Sequence, residues 1–252
     1  MFSLSCFSLI QYGQSSKVPF DINILRHPKL PHETELMAFS WREPYESLDE
    51  DERMPNGKAD RQYLIITSQQ HTPDGLGIRW LMNNASLDMY QLMHLTKPLL
   101  FDLYDGNQEK LPKNVIYDLN ENEIIDIVLQ NTVALDGKCE SHPFHMHGHK
   151  FWIHSHGPGL YDDDSTQNAF EIINPILRDS VLLYPSHFTY FHSNRSRLNH
   201  YKPCGWTKIR VIGDNPGLWL LHCHIGAHAL MGMNLLIKES IDKLVIRYLA
   251  QN

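Results

Sequence analysis

The sequence predicts an all-β sandwich or barrel with one short C-terminal helix. Three observations carry that expectation. Apolar segments of strand length recur along the chain, turn chemistry separates them, and only the tail has helical periodicity. At 252 residues, 42% hydrophobic and 20% charged, the chain is long enough to bury such a core.

In chain order, residues 1–12 begin with Phe2, Leu4 and Cys6 alternating with Ser3 and Ser5. That period of two is a half-buried strand, read here as the last strand of a preceding domain with Cys6 buried in it. No Lys or Arg precedes Lys17 and serines break the apolar stretch, so the segment is not a clear secretory signal. Residues 13–60 are polar, with an acidic run from Glu46 to Glu52, and read as a linker. A complete domain is expected over 61–252. Its strands are Tyr63–Thr67, Ile78–Met82, Asn114–Tyr117, Glu123–Gln130, His149–Ile153, Ser180–Tyr184, Lys208–Ile212, Leu218–His222 and Met233–Ile237. Turns fall at Asp105-Gly106, Asp136-Gly137, Gly157-Pro158-Gly159 and Asp214-Asn215-Pro216-Gly217. Last, Ile241, Leu244, Val245, Tyr248 and Leu249 recur at helical spacing behind Ser240, a suitable N-cap.

Composition excludes several function classes. With 22 Lys+Arg against 29 Asp+Glu, the net charge of -7 argues against a nucleic-acid partner. No apolar run approaches the roughly 18 residues of a spanning helix. Four cysteines are too few for a disulfide framework at this length. Histidine is the outlier: of sixteen, twelve lie from His142 to His228. That clustering points to metal.

Two segments concentrate the ligands: His142-Pro-Phe-His145-Met-His147-Gly-His149, and His222-Cys223-His224 running on through His228 to Met233. Successive side chains of a strand face opposite ways. His222 and His224 therefore share a face that Cys223 does not. His145 and His147 likewise share one, and His142 has the other parity. If the segments pair, His142 meets Cys223 at one site, while His145, His147, His222 and His224 meet at another. His228 lies where the chain can curl back on Cys223. Two imidazoles, a thiolate and a thioether suit a blue-copper centre, and the all-imidazole set suits copper that handles oxygen. Zinc is the rival for a His/Cys site, but it gives no role to the flanking histidine pairs.

These two segments resemble the C-terminal copper motifs of the multicopper oxidases, the family of laccases, ascorbate oxidases and ferroxidases. The likeness runs from Arg61 to Glu239 and includes Arg79-Trp80, Asn83-Asn84 and Pro175 to Asp179. It implies a cupredoxin-like Greek-key β-sandwich, the last plastocyanin-like domain of a three-domain enzyme. By the resemblance, His142, Cys223 and His228 bind type-1 copper with Met233 axial. His145 binds type-2 copper, and His147, His222 and His224 bind the type-3 pair, while His149 is no ligand. The implied activity is oxidation of a small reducing substrate (a phenol, ascorbate or a metal ion) at type-1 copper. Electrons then pass along Cys223 and its neighbours His222 and His224 to a trinuclear site that reduces O2 to water. The family completes that site with two further His-x-His motifs from an N-terminal cupredoxin domain. His154-Ser-His156 does not supply them and reads as ordinary strand and turn. Gly226 stands where many relatives carry an acid. The resemblance also implies an extracellular or secretory location. The alternatives for the chain alone are a mononuclear blue-copper module that only transfers electrons, or an inactive fragment.

Other features leave two readings open. Cys139 and Cys204 form a disulfide in an oxidising compartment, or remain two buried thiols. Asp136 and Glu140 orient a substrate beside His142, or are solvated loop charges. Asn84-Ala85-Ser86 and Asn194-Arg195-Ser196 are glycosylation sequons that matter only on the secretory route. Asp162 to Asp164 read as a solvated loop, and His187, His192 and His200 as surface residues.

Overall fold

In a computed structural model the described residues are 53–95, 97–104, 111–112, 114–162, 170–171, 175, 177–185 and 203–244. The strand expected in 1–12, most of the linker, Cys6, Asp163, Asp164, His187, His192, Asn194, His200 and the tail beyond residue 244 lie outside them.

The strands are β1 (Arg61–His71), β2 (Ile78–Met82), β3 (Ile116–Leu119), β4 (Ile124–Thr132), β5 (His142–Met146), β6 (Phe151–Gly157), β7 (Phe170–Glu171), β8 (Leu177–Arg178), β9 (Ser180–Leu183), β10 (Pro203–Ile212), β11 (Gly217–Cys223) and β12 (Asn234–Glu239). They form two sheets. One has the order β2-β1-β4-β10-β6-β7 with β8 also on β6, and the other has the order β3-β12-β11-β5-β9. Most pairings are antiparallel, but β1 runs parallel to β4 and β12 parallel to β3. Neighbours so distant in sequence require crossovers between the sheets, as in a Greek-key sandwich.

Alternation builds the core. On β4, β10 and β11, Ile125, Ile127, Leu129, Ile209, Val211 and Leu221 are at most 1% exposed and pack in one cluster with Phe144, Met146, Cys223 and Met233. Arg210 is buried against Asp126 and also donates to the carbonyls of Pro55 and Gly57, tying residues 55–57 to the first sheet.

Several expectations need correction. The tail is not the only helix. Short helices α1 (Met89–Met93), α2 (Leu99–Tyr104) and α3 (Gly226–Leu230) also form. Each is five or six residues long, too short for a helical period to register in the sequence. The tail does turn helical after Ser240, over 241–244. The strand expected from His149 instead begins at Phe151, because 147–148 form a turn. Gly148 makes that turn possible. Its φ is +71°, and a Cβ there would lie inside the Trp219 indole.

Candidate metal centre

β5 and β11 lie side by side, antiparallel, with Leu221 opposite Met146, His222 opposite His145 and Cys223 opposite Phe144. Parity then divides the side chains as the sequence requires. His142, Phe144 and Met146 of β5, with Leu221 and Cys223 of β11, are all 0% exposed and face the core. His145 and His222 take the other face and are half-buried.

On the core side, Cys223 Sγ lies 3.9 Å from His142 Nδ1 and 3.7 Å from His228 Nδ1, and the two Nδ1 atoms are 3.2 Å apart. Among the described residues this trio alone brings three such donors within 4.8 Å of one another. His228 arrives on α3. The helix follows the strand end directly and turns the chain back, so that Met233 N–H donates to the His228 carbonyl at 3.0 Å. Cys223 N–H in turn donates to the Met233 carbonyl at 3.1 Å. The loop from Cys223 to Met233 is thus closed on itself. The Met233 side chain is fully buried in the same cluster as Cys223.

The donor chemistry fits a thiophilic metal. Burial, then the neighbouring His228, pushes His142 down to about 3, and burial lowers His228 too, so both imidazoles are neutral and able to ligate. Burial pushes the Cys223 thiol up to about 11, so a bound cation would be needed to release its proton. Neutral nitrogens and a buried sulfur converging on one point are a poor site for Mg²⁺ or Ca²⁺ and a good one for copper.

Trp80 of β2, which the sequence marks only through the family likeness, closes this site. It is fully buried, with its ring 4.8 Å from that of His142 in a T-shaped contact and 5.0 Å from that of His228. Its backbone N–H donates to the Met231 carbonyl at 3.0 Å. Glu140 is also here. Its Oε2 lies 3.4 Å from His228 Nε2, and burial raises its pKa above the usual carboxylate value. Asp136, in contrast, is exposed and paired with Lys138 at 3.1 Å. Of the two acids, only Glu140 touches the site. Cys139, next to it, is disulfide-bonded to Cys204, which resolves that pair's two readings.

On the opposite face, four imidazoles gather. Ring centroids are 5.1 Å apart for His145 and His147, 5.8 Å for His145 and His222, and 5.6 Å for His222 and His224. His147 Nε2 and His222 Nε2 approach to 3.2 Å. His145 Nδ1 sits 2.8 Å from the Asp179 carbonyl and His222 Nδ1 3.0 Å from the Cys223 carbonyl. Each of these two rings therefore donates through Nδ1 and keeps the Nε2 lone pair for a metal. His147 and His224 are exposed, so the group is an open face rather than a cage. A cleft of about 520 Å³ opens beside His145, lined in part by Lys150, Asp179 and Asp214.

The other histidines have different roles. His149 is buried with Nε2 2.6 Å from Glu239, whose second oxygen accepts from Asn215 N–H at 2.8 Å. His154 and His156 lie within β6, apart from both groups in sequence.

Residues 86–243 match the family described as multicopper oxidase. The chain is 30% identical to an L-ascorbate oxidase of Cucumis sativus over 199 residues, covering 71% of this chain and 31% of that protein. It is 32% identical to an L-ascorbate oxidase of Nicotiana tabacum, covering 71% of this chain and 31% of that one. A laccase-like multicopper oxidase of Thermothelomyces thermophilus is 30% identical over 58% of this chain and 25% of its own length. Among solved structures, Fet3p, a multicopper oxidase that functions in iron import, superposes with a TM-score of 0.58 at 23% identity, covering 77% of this chain and 34% of its own. The L499M mutant of the laccase from B. aclada gives 0.56 at 25% identity, covering 76% of this chain and 30% of its own. The chain thus spans about a third or less of the length of these relatives.

Proposed function

The chain belongs to the multicopper oxidase family, and on that premise we propose that its two histidine-bearing strands hold copper in two distinct sets. His142, Cys223 and His228, with the buried Met233 beside them, would hold the type-1 copper. His145 serves type-2 copper, and His147, His222 and His224 serve the type-3 pair. The observation that carries this reading is the meeting of His142 Nδ1, His228 Nδ1 and Cys223 Sγ in a buried pocket. Copper held there supplies one-electron chemistry, taking electrons singly from a reducing substrate.

The protein's own contribution is geometric. The buried trio excludes water and fixes its donors through β5, β11 and α3. Cys223 lies between His222 and His224 in the chain, so a few covalent bonds join the two faces of the sheet. Those bonds would give an electron a through-bond route from the core side to the open face, where His145, His147, His222 and His224, joined by further imidazoles, would hold the coppers that supply dioxygen reduction. The substrate is a small reductant such as ascorbate, a phenol or ferrous ion, and Glu140 beside His228 is placed to orient it. The Cys139–Cys204 disulfide supports an extracellular or secretory setting.

A second reading is a mononuclear electron-transfer module, favoured by the exposure of His147 and His224. Both readings require the type-1 centre, so the first test is colour. Loaded with Cu(II), the chain is expected to absorb intensely in the red, and Cys223→Ser to abolish the band. A colourless but copper-loaded wild type would overturn the assignment.

A further inference from the structure

We infer that Asn84 is an attachment site for an N-linked glycan. The triplet Asn84-Ala85-Ser86 has the required hydroxyl residue two positions on and no proline between. Two structural observations give that sequence pattern weight.

The first is local. Asn84 is exposed on a tight turn in which Met82 and Ala85 exchange backbone hydrogen bonds of 2.7 and 3.1 Å. It takes a left-handed φ of 64°, as Asn does at such turns. A glycan on that exposed turn would project into solvent. The second is remote. Cys139 and Cys204 are joined, and a structural disulfide of this kind forms where sequons are also read.

The fold also sets the order of events. Ser86, whose hydroxyl the transfer requires, is half-buried and donates to the Met231 carbonyl at 3.2 Å. Gly232 packs so closely on it that a Cβ there would collide with the hydroxyl. Transfer therefore precedes docking of the 231–232 turn on Ser86, whereas the product is compatible with the finished fold. In the transfer, the Asn84 amide nitrogen attacks C1 of a lipid-diphosphate-linked oligosaccharide. A C–N bond forms, the C1–O bond to phosphate breaks, the amide loses one proton and the lipid diphosphate departs. The sugar would keep the β2 turn facing solvent in any larger assembly. Copper plays no part, so this inference stands or falls apart from the metal assignment.

The test uses the full chain carrying a cleavable secretory leader, translated with microsomal membranes. The second sequon is removed by Asn194→Gln. Import is scored by protease protection, and oxidation of Cys139–Cys204 by non-reducing mass analysis. The expected result is one glycan-sized mass increase. An amidase specific for N-linked glycans should remove it and leave Asp at position 84. Ser86→Ala should abolish the increase and Ser86→Thr retain it. An imported, oxidised chain with unmodified Asn84 would overturn the inference.

Discussion

At the scale of single residues, Trp80 is the support of the buried trio. It is the aromatic residue in contact with both His142 and His228 among the described residues, and it is fully buried. Replacing it with Leu removes the surface that fixes both rings and leaves a partial cavity, at a cost of about 2–3 kcal/mol. The measurable signature is spectroscopic. Trp80→Leu should broaden and weaken the red band of the copper-loaded chain, while Trp80→Phe should largely keep it. Equal spectra and equal copper affinity for Leu and wild type would remove Trp80 from this role. His149 makes the contrasting case. Its partner Glu239 is fully buried, so Glu239→Ala strands an imidazole and the Asn215 N–H together. Leaving a buried polar group without its hydrogen-bond partner costs about 1–3 kcal/mol. Urea unfolding should register that loss, and the red band of the surviving folded fraction should not move.

At the scale of elements, the joints between strands do the placing. Gly148→Ala puts a Cβ into the Trp219 ring at a backbone φ of +71°, so either the turn or the indole must move. A destabilisation of about 2 kcal/mol or more follows from the left-handed conformation and the clash together, readable in a denaturant melt. The strand pair itself is legible in the sequence. A period of two puts His142 and Cys223 on one face and His145 and His222 on the other, and the observed register has that parity. His228 is legible only as able to return towards Cys223, because its placement depends on α3, a helix of five residues. Trp80 is legible only as part of a family likeness, since nothing local says that β2 will pack over residues some 60 and 150 positions away. Sequence leaves the disulfide undecided for the same reason: 65 residues separate its cysteines, and spacing does not fix how two strands meet. Replacing both cysteines with Ser should lower unfolding stability by up to about 4 kcal/mol, the loop-closure value for such a span.

At the scale of the whole molecule, the two faces of the β5–β11 pair differ in what they complete. On the core side, three donors lie within 4.8 Å of one another and are shielded from water, an arrangement that could hold a metal ion. On the other side, four imidazoles share an open surface on which His147 and His224 are exposed. Beside them an apolar groove of about 330 Å³ runs between Leu92, Leu95, Leu99, Leu218, Leu220 and Leu236. Reduction of dioxygen to water consumes four electrons and needs several metals held close together, and ligands on one side only leave each metal undercoordinated. The 252-residue chain by itself should therefore bind close to one copper per molecule tightly, while the open face takes up metal weakly. Calorimetric titration gives the stoichiometry. Thermal unfolding gives a second measure, because a ligand at a hundred times its Kd stabilises by about 2.7 kcal/mol. Oxygen consumption with ascorbate, a phenol or ferrous ion should be negligible for the chain alone. It should rise when a cupredoxin domain bearing two His-x-His motifs is supplied to dock on the open face. Several tightly bound coppers with brisk oxygen uptake by the unaided chain would show that the four imidazoles suffice.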